Sequence, residues 1–157
     1  MRLDPPPHVM LVVAPYYAHI TDQMVTGAMT VLSGVGATVE RFDVAGAFEL
    51  PVAIRLGVEA SLKAGGRPKP FHGYVALGCV IRGETTHYDH ICQETTRALQ
   101  ELSVGHRLAL GYGLLTCENE AQALARADVG RKNKGAEAAR ACLKTLEVKA
   151  RLGLYPG

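Results

Sequence analysis

Tryptophan is missing altogether, and phenylalanine occurs only three times. A surface that stacks successive nucleobases needs more aromatic material than this. Charge of one sign is equally scarce. Lys and Arg number 17 against 15 Asp and Glu, so the net charge of +2 is too small to draw in a polyanion. Long apolar runs are also absent: Val9 to Ala14 falls far short of a membrane-spanning helix. Met1-Arg2-Leu3-Asp4-Pro5-Pro6-Pro7 contains an acid and a run of prolines but no apolar core, which is unlike a secretion signal. These absences predict a cytoplasmic protein with neither a nucleic-acid nor a membrane partner.

Cys79, Cys92, Cys117 and Cys142 include no C-x-x-C pair, so neither a zinc ribbon nor a disulfide framework is indicated. Buried free thiols are expected. Nucleotide fingerprints fail as well. Gly34-Val35-Gly36 follows a helical pattern rather than a strand, and no G-x-x-x-x-G-K-[ST] occurs.

What is present is an alternation of two periodicities. Val9 to Ala14 is a continuous, partly β-branched run, as in a strand buried on both faces. Pro15 ends it. Thr21 is a suitable N-cap for a helix carrying Met24, Val25, Ala28, Val31 and Leu32 up to Gly34 and Gly36. Thr38 to Val44 is again strand-like, Gly46 to Glu49 a loop, and Pro51 suits the first turn of a helix running to Ala64. Gly65 to Pro70 is a breaker cluster. Tyr74 to Ile81 predicts a third strand, Asp89 to Ser103 a helix, and Leu108 to Leu115 a fourth strand. Asn119 to Ala127 and Gly135 to Leu152 predict two closing helices.

The order βαβαβαβαα predicts a three-layer α/β/α domain on a four-stranded parallel sheet, flavodoxin-like, with right-handed crossovers. Residues 1–8 read as an extended Pro-rich segment and 9–157 as one domain, long enough to bury its own core. Ligands of such sheets bind beyond the carboxyl ends of the strands. That rule selects Ala14 to Tyr17, Val44 to Glu49, Cys79 to His87 and Leu115 to Asn119.

Two of these loops are unusually equipped. Gly78 to His90 leaves a strand, turns at Gly83 and opens a helix, so backbone N–H groups and the Thr85 and Thr86 hydroxyls make an anion site. His87 beside it moves protons near neutral pH. A plain capping loop with an exposed histidine is the alternative. Gly46-Ala47-Phe48-Glu49-Leu50-Pro51 offers a carboxylate that either caps the next helix or accepts ligand hydroxyls. Tyr16 and Tyr17 either line a pocket for a flat ligand or pack on the next helix. From Arg126 onward eight Lys and Arg outnumber three acids, most of them a solvated face, with one or two suited to a phosphate. His87-Tyr88-Asp89-His90 matches part of an H-x-H-x-D-H dimetal pattern, but Thr85 replaces its first histidine. A small metal-dependent hydrolase using His87, Asp89 and His90 is therefore a second enzymatic reading.

Four segments taken together resemble the lumazine synthase family. Gly46 to Pro51 is similar to its G-A-[FLY]-E-[IL]-P motif, and Leu77 to Asp89 to L-G-x-V-I-R-G-x-T-x-H-[FY]-[DE]. Leu115 to Ala123 matches L-T-x-E-N-x-x-Q-A, and Asn133-Lys134-Gly135 matches N-K-G. The resemblance spans about Val9 to Leu152.

It implies a transferase of riboflavin biosynthesis with two small-molecule substrates and neither a cofactor nor a metal. The enzyme condenses 5-amino-6-(D-ribitylamino)uracil with 3,4-dihydroxy-2-butanone 4-phosphate, giving 6,7-dimethyl-8-ribityllumazine, phosphate and water. By resemblance, Tyr16 stacks on the pyrimidine, Ala47, Phe48 and Glu49 hold that substrate, and Glu49 accepts ribityl hydroxyls. Cys79, Val80 and Ile81 offer backbone groups. Gly83, Glu84 and Thr85 bind the phosphate, Glu84 through its amide, and Arg126 clamps it. His87 transfers the proton. Tyr112 and Lys134 line the site, contributed with Arg126 by a neighbouring subunit.

The family usually carries Phe or Trp at the position of Tyr16, often with Arg before it and Asn after it. Here Pro15 precedes and Tyr17 follows. A non-catalytic flavin- or lumazine-binding scaffold is thus a third reading. The family forms homopentamers with active sites at subunit interfaces, and members that build shells tend to carry G-[TG]-K-x-G-N. Asp128 to Asn133 lacks two of those glycines, and Pro5 to Pro7 is poorly suited to extending a neighbour's sheet. The expectation is a pentamer that assembles no further.

Overall fold

A computed structural model describes residues 2–63, 65–66 and 68–157. The strands are β1 (His8–Val13), β2 (Thr38–Asp43), β3 (Gly73–Ile81) and β4 (Ala109–Cys117). The helices are α1 (Ala18–Gly34), α2 (Leu50–Leu62), α3 (His87–Gly105), α4 (Glu120–Ala127) and α5 (Lys134–Arg151). A single 3-10 turn, Ala47–Glu49, leads into α2 where the sequence suggested an open loop. The expected end of α2 at Ala64 lies outside the described residues.

All strands are parallel, in the order β2-β1-β3-β4. The central strand β1 shows why its sequence is a continuous apolar run. Val9, Leu11 and Val13 enter a core shared with α1, α4 and α5, while Met10, Val12 and Ala14 enter a second core with α2 and α3. Each fully buried side chain of this kind is worth roughly 1.5–3 kcal/mol. Both outer strands are more polar: β2 buries no residue fully, and β4 exposes Tyr112 and Thr116.

Close approach of α5 to its neighbours depends on two glycines. A Cβ on Gly135 would lie 2.0 Å from the Met24 carbonyl oxygen of α1, and one on Gly111 of β4 would lie 2.0 Å from the Ala138 carbonyl oxygen. Neither contact leaves room for a side chain.

Several boundaries differ from the sequence expectations. Thr21 does not cap α1; it is buried one turn inside the helix, with its hydroxyl donating to the Tyr17 carbonyl at 3.3 Å. The helix starts earlier because Tyr17 lets the chain turn directly out of β1, its carbonyl accepting from Ile20 and Thr21. Likewise α3 begins at His87, two residues before the expected start, because Thr86 already has helical backbone angles. Asn119 does cap α4, accepting from the Gln122 N–H at 2.9 Å. Cys79, Cys117 and Cys142 are buried and free as expected, whereas Cys92 is only half-buried because it lies on the polar first half of α3. Among the described residues no helix is long and apolar enough to cross a membrane.

Candidate active site

Chain growth reverses direction between β1 and β3, since β2 lies outside β1 and β4 outside β3. The loops leaving β1 and β3 therefore diverge to opposite faces and open a crevice at the carboxyl end of the sheet. Tyr16 stands on the first of these loops and Gly83, Glu84 and Thr85 on the second, with His87 as the first residue of α3. Ala47, Phe48 and Glu49 follow β2, next to β1.

The strand register makes one wall of this crevice. The Ala14 N–H donates to the Leu77 carbonyl at 2.9 Å, after which β1 leaves the sheet. β3 continues through Gly78 to Ile81, paired only with β4. Backbone groups of alternate residues in a parallel strand face opposite neighbours. Leu77, Cys79 and Ile81 thus face the β1 side, while Val80 and Arg82 face β4, as the Arg82 N–H confirms by donating to the Cys117 carbonyl at 2.9 Å. The main-chain groups of Cys79 and Ile81 border the crevice beyond the end of β1, and those of Val80 face the β4 ladder. Burial, reinforced by Cys117 and Cys92, pushes the Cys79 thiol up to about 12, so it is no nucleophile at neutral pH.

Two aromatic side chains stand open beside this wall, Tyr16 at 75% exposure and Phe48 at 61%. Tyr16 meets Tyr17 edge-on at 4.9 Å between ring centroids. Glu49 occupies the N-cap position of α2, yet its side chain makes no capping hydrogen bond. Its Oε2 instead sits 3.4 Å from where a Gly46 Cβ would be. The capping role is therefore not filled, and the half-buried carboxylate is unspent among the described residues.

The turn between β3 and α3 is governed by Arg82. Its Nε donates to Glu118 at 2.8 Å, and its two terminal nitrogens fork onto Asp89 at 3.0 and 3.3 Å. The guanidinium carbon lies 4.4 Å from the Tyr88 ring centroid. Hydrogen bonding to Asp89 first, then Glu118, holds the guanidinium above its ordinary pKa. Thr85 Oγ1 accepts from the His87 N–H at 3.3 Å, while Thr86, in the N-cap position, makes no side-chain cap. A Cβ on Gly83 would touch nothing within 4 Å, so the turn lies open above that residue. Around it one cation, Arg82, stands against three carboxylates, Glu84, Asp89 and Glu118. An anion held by these backbone N–H groups needs positive charge from elsewhere.

The remaining expected site residues lie apart. Tyr112 pairs in register with Ala76 and precedes Cys117, the end of β4, by five positions, or about 17 Å of strand. Its hydroxyl shares a 3.0 Å hydrogen bond with Thr96 of α3. Arg126, on the last turn of α4, donates to the Gln122 carbonyl at 3.1 Å and has no carboxylate partner among the described residues. Lys134 opens α5 and pairs with Glu137 at 2.9 Å. Tyr16, Ala47, Phe48, Glu49, Gly83, Glu84, Thr85 and His87 stand on the loops at the crevice mouth, whereas Tyr112 belongs to the outer strand of the sheet.

The metal-hydrolase reading loses its central ligand, because both Asp89 oxygens are engaged by Arg82. Among the described residues no three His, Cys, Asp or Glu side chains are grouped to hold an ion. Sequence reasoning gave Arg82 and Glu118 no role. Both lie inside the quoted motifs, which was the available signal. Three clefts of about 450, 520 and 490 Å³ lie elsewhere: beside His72 and Lys149, beside Arg2 and Glu147, and between α2 and α3. None of these three is lined by an expected site residue.

Comparison with known proteins agrees with this geometry. The family model described as 6,7-dimethyl-8-ribityllumazine synthase matches residues 6–150. The 6,7-dimethyl-8-ribityllumazine synthase of Methylorubrum populi is 49% identical over 148 residues, covering 94% of this chain and 86% of that protein. That of Paramagnetospirillum magneticum is 44% identical over 146 residues, 93% of this chain and 97% of that protein. The 6,7-dimethyl-8-ribityllumazine synthase 1 of Rhizobium meliloti is 45% identical over 148 residues, 94% and 95% respectively. Three motif-bearing loops, after β2, β3 and β4, lie at one end of a flavodoxin-like sheet, and the likeness runs through nearly all of the chain: it belongs to the 6,7-dimethyl-8-ribityllumazine synthase family.

Proposed function

We propose that this chain catalyses the lumazine-forming step of riboflavin biosynthesis, joining 5-amino-6-(D-ribitylamino)uracil to 3,4-dihydroxy-2-butanone 4-phosphate. The observation that carries the reading is the placement of the Gly46–Pro51 and Leu77–Asp89 motifs at the β1/β3 crevice, with an unspent carboxylate at Glu49 and an open backbone turn at Gly83. Tyr16 and Phe48 supply flat apolar surface for the pyrimidine. Cys79 and Ile81 supply main-chain donors and acceptors, and Glu49 accepts ribityl hydroxyls. The Gly83–Thr85 turn receives the phosphate.

Chemistry then proceeds by imine formation between the amine and the ketone, loss of phosphate, ring closure and dehydration. His87, the first residue of α3 directly after this turn, carries protons between these steps. Holding two reactants in one crevice supplies much of the rate, since such proximity removes several kcal/mol of barrier. No metal or organic cofactor enters the sequence of steps.

The acidic surroundings of the turn support an interface site. Arg82 is already paired with two carboxylates, so a phosphate dianion requires a further cation. Arg126 is available, having no carboxylate of its own. In this reading a neighbouring copy brings Arg126, Lys134 and Tyr112 over the crevice, closing a homopentamer that assembles no further. Mixing the protein with both substrates should generate lumazine absorbance and fluorescence, with stoichiometric phosphate release, above the uncatalysed background. No rate above background from a folded sample would refute the enzymatic reading and leave the binding scaffold. Light scattering should give the mass of five chains; a megadalton particle would refute the assembly.

A further inference from the structure

We propose that Arg82 is a positioning residue: by gripping Asp89 and Glu118 at once, it fixes the Gly83–Thr86 turn and the His87 imidazole against the end of β4. The inference rests on the synthase reading and assigns that site a residue that touches neither substrate.

The turn itself has little to hold it. Residues 82–87 are all exposed, and the only side-chain hydrogen bond inside the segment runs from the His87 N–H to Thr85 Oγ1 at 3.3 Å. Its two ends are secured by the same residue, one through its backbone N–H and the other through its guanidinium. At one end the Arg82 N–H is bound to the Cys117 carbonyl at 2.9 Å. At the other the Arg82 fork seizes Asp89, the third residue of α3. A bidentate fork of this kind sets orientation as well as distance. Nε adds Glu118, the first residue after β4. Glu118 is itself anchored, its N–H donating to Gln122 Oε1 at 2.9 Å on α4. One side chain thereby welds the start of α3 to the β4–α4 turn, with the Tyr88 ring lying against it.

This geometry assigns Arg82 to the frame and not to the phosphate. A guanidinium already satisfied by two carboxylates binds a third anion only by releasing one of them.

Charge and position have opposite consequences here, which makes the inference testable. Asp89→Asn and Glu118→Gln each remove a negative charge next to the phosphate turn. A purely electrostatic role lowers the KM for the butanone phosphate. A positioning role raises it, by about tenfold for Asp89→Asn and less for Glu118→Gln, because misplaced groups cost rate and binding. The expected result is that rise, with the pyrimidine KM within about twofold of the parent and an unchanged melting temperature. Arg82→Lys keeps the charge but not the fork and should also raise the phosphate KM. An unchanged or lower phosphate KM in Asp89→Asn overturns the proposal. A rise in both KM values together with a fall in melting temperature also overturns it, since that is general structural damage. Amide hydrogen exchange over residues 83–88 gives a readout independent of turnover, and it should quicken in Asp89→Asn while the β1 amides stay protected. If the parent protein forms no lumazine, the synthase reading fails by itself; the clamp then stands or falls on the exchange measurement.

Discussion

Removing Arg126 is the sharpest test of the interface reading. The Gly83–Thr85 turn, to which this reading assigns the phosphate, carries one cation, Arg82, which is committed to Asp89 and Glu118, and a further acid, Glu84, stands exposed beside it. Arg126→Ala therefore removes a charge that nothing nearby replaces. A charge-assisted hydrogen bond to phosphate is worth about 2–3 kcal/mol in such a site, so the phosphate KM should rise by about 30- to 150-fold. The pyrimidine KM should stay near the parent value. Steady-state kinetics with each substrate varied in turn reads both. Co-expression then asks whose arginine serves whose turn. Arg126→Ala alone lacks the clamp, and Glu49→Ala/His87→Ala alone lacks the crevice side. In randomly mixed rings about a quarter of interfaces pair an intact crevice with an intact Arg126. Activity should recover to about that fraction of the parent. Failure of the mixed assemblies to exceed the sum of the separate variants would refute donation between subunits. An unchanged phosphate KM in Arg126→Ala would refute the clamp itself.

Three further outcomes follow from particular contacts. Glu49→Gln should raise the pyrimidine KM roughly tenfold while leaving the phosphate KM unmoved, because only the ribityl hydroxyls lose a charged acceptor; a rise in the phosphate KM instead would contradict the assignment. Gly135→Ala should cost about 1–3 kcal/mol or more in urea unfolding, because its Cβ meets Met24 backbone that cannot swing aside. Gly34→Ala, with nothing within 4 Å of its Cβ, is the neutral control, and equal stabilities would refute the packing argument. Burial, then the nearby His8, Lys69 and Lys149, holds His72 below its ordinary pKa of 6.5, so the folded state resists a proton that the unfolded chain accepts. Stability should fall on acidification through that value, and His72→Gln should flatten the slope between about pH 7.5 and about pH 5.5 in urea titrations.

The architecture was legible because it rests on local patterns. Val9 to Ala14 is apolar at every position since both faces of β1 are covered, and that pattern survives in the sequence without any knowledge of neighbours. Helix ends were less legible. Thr21 and Thr86 are good capping residues, yet neither caps, because how the chain leaves β1 and β3 is set by packing rather than by hydroxyl chemistry. Most expected site residues came from motifs, with Tyr16, Tyr112 and Arg126 outside them. The grouping of those on the loops after β1, β2 and β3 at one end of the sheet follows from a topological rule that needs only the order of elements.

The sequence by itself determined the parallel α/β sheet, the loops at its carboxyl end and the family. Tertiary structure alone decided that Cys79 and Ile81, and not Val80, turn their main chains toward the crevice. It also decided that Arg82 is bound by Glu118, 36 residues away, and that Tyr112 pairs with Ala76, away from the crevice. All three depend on the register of β3 against β1 and β4. Register is fixed by many simultaneous contacts between the faces of the sheet and its helices, and no short stretch of sequence records it.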